Sequence, residues 1–146
     1  MKELVRRYLA FSNARDIAGM DSLRAPDFRA HVPSAGAISD SAPIDAAILN
    51  RDLAMITQAF PDLTNQEQDV VAEGDRVVVR ARLSGTFSGP LGSVPPTNQR
   101  ISWDTVHIYR VEGERIAEAW FVTDTLGLLK QAGAVTVLAP APELGR

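Results

Sequence analysis

The chain has 146 residues, of which 45% are hydrophobic and 23% charged, with a net charge of -3 and no cysteine. These values suit one soluble domain and exclude disulfides, thiolate metal sites and cysteine nucleophiles; with no basic run or stripe, they also argue against a nucleic-acid partner. The opening MKELVRRYLAFSNARD scatters charge through its apolar residues, unlike a signal peptide, and no apolar run is long enough for a membrane span, so a cytoplasmic protein without membrane association is expected.

From Met1 to about Ala18, the apolar residues Leu4, Val5, Tyr8, Leu9, Phe11 and Ile17 follow one helical stripe, which predicts an amphipathic helix. Asp21 opens a short second helix or turn that Pro26 stops, and Phe28 to Val32 reads as a short strand ended by Pro33. Ser34 to Ser41 reads as a loop. Pro43 to Phe60 is the second long helix, with Ser41 as its N-cap and Ile44, Ile48, Leu49, Leu53, Ile56 and Phe60 on its apolar face. A strand over Asp69 to Glu73, a turn at Gly74-Asp75 and a longer strand over Arg76 to Phe87 follow; Val77, Val79, Ala81, Leu83 and Phe87 alternate there with Arg80 and Arg82, which face solvent or a dimer interface. Ser88 to Asn98, SGPLGSVPPTN, is a Gly- and Pro-rich connection that cannot continue a central strand.

Arg100 to Gln131 carries most of the plausible chemistry. Ile101, Trp103, Thr105, His107 and Tyr109 alternate along one strand, and Ile116, Glu118, Trp120, Val122 and Asp124 along the return strand. A two-residue turn at Glu112-Gly113 sets Tyr109 opposite Ile116, His107 opposite Glu118 and Thr105 opposite Trp120. A three-residue turn shifts the partner by one and sends Glu118, Trp120 and Asp124 to the other face. The first register is preferred, because Gly113 tolerates positive φ and because it gathers Ile116, Trp120 and Val122 with Trp103. Thr125 to Ala132 is a short helix closed by Gly133. Residues 1–134 therefore form one domain, and 135–146 a tail or arm. Helices segregated to one side of a curved, mostly antiparallel sheet define an α+β fold whose mouth leaves a blind cavity for a ligand.

Each candidate has a functional and a structural role. Asp124, at a strand end, would deprotonate a carbon acid if desolvated; it equally suits the N-cap of the last helix. His107 would donate to a developing enolate or shuttle a proton, and would look the same if it were buried and bonded to Glu118. His31 is a rim contact or a second proton carrier. Trp103, Trp120, Phe28, Phe60, Phe87 and Met55 would wall a pocket for a flat hydrophobic ligand, or simply fill a core, and Glu118 joins them as a ligand contact. The two histidines have no carboxylate at helical ligand spacing, so no metal is expected, and Gly89, Gly92 and Pro95 make no phosphate loop. Exposed Val78, Val106 and Ile108 predict a homodimer.

Ala59-Phe60-Pro61-Asp62-Leu63, Pro95-Pro96-Thr97, Arg110-Val111-Glu112 and Glu118-x-Trp120-x-x-x-Asp124, with Leu128, Gln131 and Gly133 after them, resemble the SnoaL-like polyketide cyclases of the NTF2-like superfamily over roughly Met1 to Ala134. The resemblance implies a cone-shaped α+β barrel with three to four helices around a pocket. It also implies a cofactor-independent, aldol-type cyclisation of a hydrophobic, carbonyl-bearing, polyketide-like molecule by a lyase or isomerase, with Asp124 as general acid/base and His107 as its companion. Gly113 departs from the family pattern, in which the turn glycine often falls one position later. The same superfamily holds non-catalytic binders, the alternative kept open here, and epoxide hydrolases, whose Asp–Arg–Asp set finds no match on an inner-facing strand.

Overall fold

In the computed structural model, residues 1–32 and 42–136 are described. The predicted loop over Ser34 to Ser41, the Ser41 cap and residues 137–146 of the tail lie outside them. Helix α1 (Lys2–Ala14) ends sooner than its apolar spacing predicts, because Arg15 adopts a left-handed backbone at φ 60°. Asp16 then starts a new helix, α2 (Ile17–Leu23), its carboxylate accepting from the Gly19 N–H at 2.8 Å. Strand β1 (Arg24–His31) follows at once and runs through Pro26, where a stop was expected. It can do so because β1 is an edge strand whose one strand neighbour is β5, with its register slipping between Arg24 and Arg29, so the Pro26 nitrogen faces no ladder partner it must donate to.

Helix α3 (Ala46–Ala59) starts later than Pro43. Ile44 exchanges two 2.8 Å backbone bonds with Ala30, and Asp45 caps the helix through the Ile48 N–H. Strand β2 (Thr64–Glu73) begins well before the expected Asp69. Its polar first half hid it. As the other edge strand it has one neighbour, β3 (Arg76–Thr86), and its free edge is held by α1: the Asn13 side chain pairs with the Asn65 backbone (2.8 and 2.9 Å) and Arg6 with Glu67. β4 (Arg100–Glu112), β5 (Arg115–Thr123) and α4 (Thr125–Gln131) complete the chain. The sheet is mixed and open, in the order β1-β5-β4-β3-β2, with only β1 and β5 parallel. Among the described residues no helix is long and apolar enough to cross a membrane.

The hairpin register differs from both sequence-based alternatives. The turn is Gly113-Glu114, with Gly113 at φ 58°, so Glu112 faces Arg115 and Val111 faces Ile116. A bulge then places Arg110 opposite Glu118 and leaves Ala117 as the extra residue. One inserted residue inverts the side-chain parity of the rest of β5. Ala119, Phe121 and Thr123 therefore face inward, opposite Tyr109, His107 and Thr105, while Glu118, Trp120 and Val122 face outward.

The inner face packs in two clusters. One joins α1, α2 and β1 to the sheet through Val5, Leu9, Met20, Phe28 and Tyr109. The other centres on Phe60, whose ring lies 5.3 Å from Phe87 and 5.2 Å from Trp103. Each fully buried phenylalanine contributes roughly 1.5–3 kcal/mol. Between the two clusters the packing opens.

Candidate functional site

Strand pairing lines up inward residues in rows across the sheet: Asn65, Leu83 and Trp103; then Val70, Val79, His107 and Phe121; then Ala72, Val77, Tyr109 and Ala119. Helix α1 brings Tyr8, Leu9 and Ser12 over these rows, and α3 brings Leu49, Asp52, Leu53 and Ile56. Together they bound a cavity of about 290 Å³. Its walls are mostly apolar, with a few polar groups among them, the usual make-up of a small-molecule site.

His107 is the central polar group. It is 6% exposed, and the edge of Phe121 lies against it at 4.9 Å. No carboxylate faces it across the hairpin, so burial alone acts on the imidazole and lowers its pKa to about 4. It is neutral at neutral pH. Its Nδ1 lies 3.1 Å from the hydroxyl of Tyr109, a fully buried residue whose phenol burial holds protonated, well above its ordinary value. Among the described residues that hydroxyl has Nδ1 as its one partner, so donating to it is the arrangement that leaves no buried O–H unpaired. The ring proton then sits on Nε2, which has no partner among the described residues and lies on the cavity wall, so it is offered to the cavity.

Besides the hydroxyls of Ser12, Thr123 and Thr125, three polar side chains of the lining stand out. Asp52 on α3 has a side chain 41% exposed, which places a carboxylate at the mouth. Asn65 has a buried side-chain oxygen that accepts from no group among the described residues. Tyr8 accepts two hydrogen bonds from the buried Arg24. Among the described residues no group of three or more His, Asp or Glu gathers as metal ligands would.

Of the residues singled out in the sequence, the structure brings only Trp103 and His107 together in the cavity. Phe28, Phe60 and Phe87 are buried in the core behind it. Met55 points away from it, 58% exposed on the outer side of α3. His31, Glu118 and Trp120 lie on the outer face of the sheet. There His31 Nε2 meets Glu118 Oε1 at 2.7 Å, Arg110 Nε donates to Glu118 Oε2 at 3.0 Å, and the imidazole stacks on Trp120 at 5.0 Å. Burial pushes the Glu118 carboxyl up, but its bonds to His31 and Arg110 outweigh this and leave it below its ordinary value. The expected His107–Glu118 contact is therefore replaced by His107–Phe121.

Asp124 is exposed and caps α4, accepting from the Gly127 N–H at 2.8 Å. Its neighbours Thr123 and Thr125 line the cavity, but Asp124 does not. Gly127 makes the cap possible, since a Cβ there would lie 2.1 Å from the Asp124 carboxylate. Asparagine caps as well as aspartate. Asp124→Asn is thus expected to keep both melting temperature and turnover, and Asp124→Ala to lose about 1 kcal/mol of stability. Melting curves and rates on the pair check this; a dead but stable Asp124→Asn would return the acid/base role to this residue.

Tyr8, Asp52 and Phe121 were not picked out in advance. Tyr8 lies within the apolar stripe of α1, Asp52 next to Leu53 in that of α3, and Phe121 on what the simple alternation makes the solvent side.

The open, mixed sheet with helices over its inner face, and the largely apolar cavity with a neutral histidine in its wall, are the architecture of the NTF2-like type. Residues 2–132 match the family model described as SnoaL-like polyketide cyclase, so the chain belongs to that family. Among solved structures it is similar to AclR, a proposed hydroxylase from Streptomyces galilaeus (27% identity, TM-score 0.82, covering 94% of this chain and 83% of that one). It is similar as well to IdmH, a proposed polyketide cyclase from Streptomyces antibioticus (28%, 0.81, 90% and 97%), and to TsrD from Streptomyces laurentii (27%, 0.75, 92% and 95%). A comparison with curated protein sequences finds no match.

Proposed function

We propose that this protein binds a hydrophobic, carbonyl-bearing small molecule and promotes its enolisation and aldol-type cyclisation, as a lyase or isomerase of acid–base type. The observation that carries the reading is the Nε2–H of a neutral His107, backed by Tyr109, inside an apolar cavity. A carbonyl oxygen accepts that proton's hydrogen bond, and the carbonyl polarises. The α-proton passes to the Asp52 carboxylate at the mouth, and negative charge builds on the oxygen beside His107. The enolate carbon then attacks a second carbonyl of the same molecule, forming one C–C bond, and the resulting alkoxide takes its proton back from Asp52. A buried imidazole with a pKa of about 4 is a weak base but a sound donor, so the two roles fall on different residues.

The test uses 1-phenylbutane-1,3-dione in deuterated water, with α-proton exchange followed by NMR. The protein should speed exchange, and Asp52→Asn should remove most of that acceleration. A second reading, binding without conversion, is favoured by Phe121 holding the position opposite His107, where a carboxylate would otherwise sit within reach. Saturable binding with no exchange above background would establish it and end the catalytic proposal.

The outer face supports a homodimer. Val71, Val78, Ile108 and Trp120 form one row across β2, β3, β4 and β5, with Val71 and Val122 each 59% exposed. Glu73, Arg76, Arg110 and Glu118 border it in mixed sign, so a second copy turned over can match acid to base. Light scattering at micromolar concentration should report a dimer, and Ile108→Lys a monomer; a wild-type monomer would refute the interface.

A further inference from the structure

We propose that Tyr8, held by the buried guanidinium of Arg24, is a second ligand-contacting donor of the cavity, and that it selects ligands presenting an anionic oxygen, such as an enolate or a phenolate. The inference rests on the reading of the cavity as a carbonyl site and adds a charge preference to it.

Arg24 opens β1 and is 3% exposed. Its Nε donates to the Tyr8 hydroxyl at 3.0 Å, and its Nη2 donates to the same oxygen. Its Nη1 reaches Asp21 at 2.7 Å and Asn50 at 2.8 Å, so one guanidinium ties α1, α2 and α3 to the sheet edge. A phenol has one donor and two acceptor positions. Arg24 occupies both acceptor positions, which turns the Tyr8 proton away from the guanidinium. No acceptor for that proton is found among the described residues. The nearby Tyr109 ring meets Tyr8 edge-on at 5.7 Å, and its hydroxyl is committed to His107. Tyr8 itself is 3% exposed and lines the cavity. It is a buried, oriented donor lacking an acceptor among the described residues, on the wall of a largely apolar cavity.

The charge distribution gives it a preference. Arg24 lies over the rings of Tyr8 (5.2 Å) and Phe28 (4.9 Å), out of water. Its one carboxylate partner among the described residues, Asp21, has a side chain 48% exposed, where solvent screens it. The cation is thus better expressed toward the interior than its counter-ion, and the Tyr8 end of the cavity carries positive potential. A donor polarised by a cation binds an oxyanion more strongly than a neutral oxygen, and more so in a dry site. Tyr8 would therefore hold the oxygen on which charge accumulates during enolisation, or an acidic hydroxyl of the ligand in its ionised form.

The probe is 4-nitrophenol, whose ionised and neutral forms are separated by absorbance. Titrated in the bound state, its pKa should fall by about one unit, equivalent to a tenfold preference for the phenolate. Tyr8→Phe should abolish that shift. Because Tyr8 also anchors Arg24, this variant will lose stability whatever the role of its proton, so the bound-probe pKa decides and the melting temperature does not. Asp21→Asn supplies an independent arm: it removes the exposed counter-charge, leaves Tyr8 in place, and should enlarge the shift. Equal affinity for both forms, an unchanged shift in Tyr8→Phe, or no shift change in Asp21→Asn would overturn the proposal. Binding of neutral 2-acetonaphthone is followed in parallel by Trp103 fluorescence in a Trp120→Phe background. A protein that binds the ketone without preferring phenolate loses only this inference, and one that binds neither loses the cavity reading with it.

Discussion

His107→Phe is expected to lower kcat by about 100-fold to 1000-fold with little change in KM, the loss that follows removal of one preorganised donor to a developing oxyanion. Phenylalanine nearly conserves the volume and keeps the edge contact with Phe121, so the cavity walls should stay in place. What it removes is the Nε2–H proposed to meet the carbonyl. It also leaves the Tyr109 hydroxyl without a partner, at a stability cost of about 1–3 kcal/mol. His107→Gln separates the two effects, because its amide can donate into the cavity and recover part of the rate without restoring the ring. Rates of α-proton exchange on both variants check the assignment. A His107→Phe protein that exchanges as fast as wild type would show that polarisation at this position is irrelevant, whatever else the cavity does.

How much of this site was legible in advance depends on one residue. Alternation from Ile101 to Tyr109 placed Trp103 and His107 inward correctly, because β4 pairs regularly with β3 over its whole length. The same alternation failed on β5. There the bulge at Ala117 inverts the parity, and a bulge leaves no mark in a hydrophobic pattern when the extra residue is a small apolar one. Glu118 and Trp120 went to the wrong face for that reason alone. Asp124 is ambiguous for a different reason: an aspartate before a helix satisfies capping and catalysis equally on paper, and it takes the bond to the Gly127 N–H to show the cap. The helix boundaries missed at Arg15 and Pro43 are local matters of backbone conformation and pairing: a left-handed non-glycine, and the bridge between Ala30 and Ile44. Arg24 and Tyr8 illustrate a further blind spot. Their contact spans the packing of a helix against a sheet edge, and no periodicity encodes a guanidinium bending onto a phenol of another element.

The neutral imidazole also predicts a pH-dependent stability with a defined window. Burial lowers the His107 pKa to about 4 in the folded protein, against 6.5 when unfolded, and no charged group offsets it. Above pH 6.5 the residue is neutral in both states and contributes nothing to the pH dependence. As pH falls below 6.5, the unfolded chain binds a proton that the folded one refuses, so stability is lost progressively until about pH 4, where the folded imidazole protonates too. The full loss corresponds to about 3 kcal/mol, a large part of the stability of a small domain. Carboxylates shifted in the native state act elsewhere on the scale. Asp62, Glu67, Asp104 and Glu118 all titrate below their ordinary values of 3.8 or 4.5, so the stability they contribute is present above those values and disappears only as pH falls through their lowered ones. Urea unfolding from pH 7.5 to 4, for wild type and His107→Phe, isolates the term. The unpaired Tyr109 hydroxyl lowers the variant by an amount independent of pH in this range, whereas the imidazole gives the wild type a decline between pH 6.5 and 4 that the variant lacks, on top of the carboxylate losses both share below 4.5. Parallel curves for the two proteins would mean that the imidazole protonates as easily folded as unfolded, and a solvated His107 of that kind could not be the dry donor that the proposed carbonyl chemistry requires.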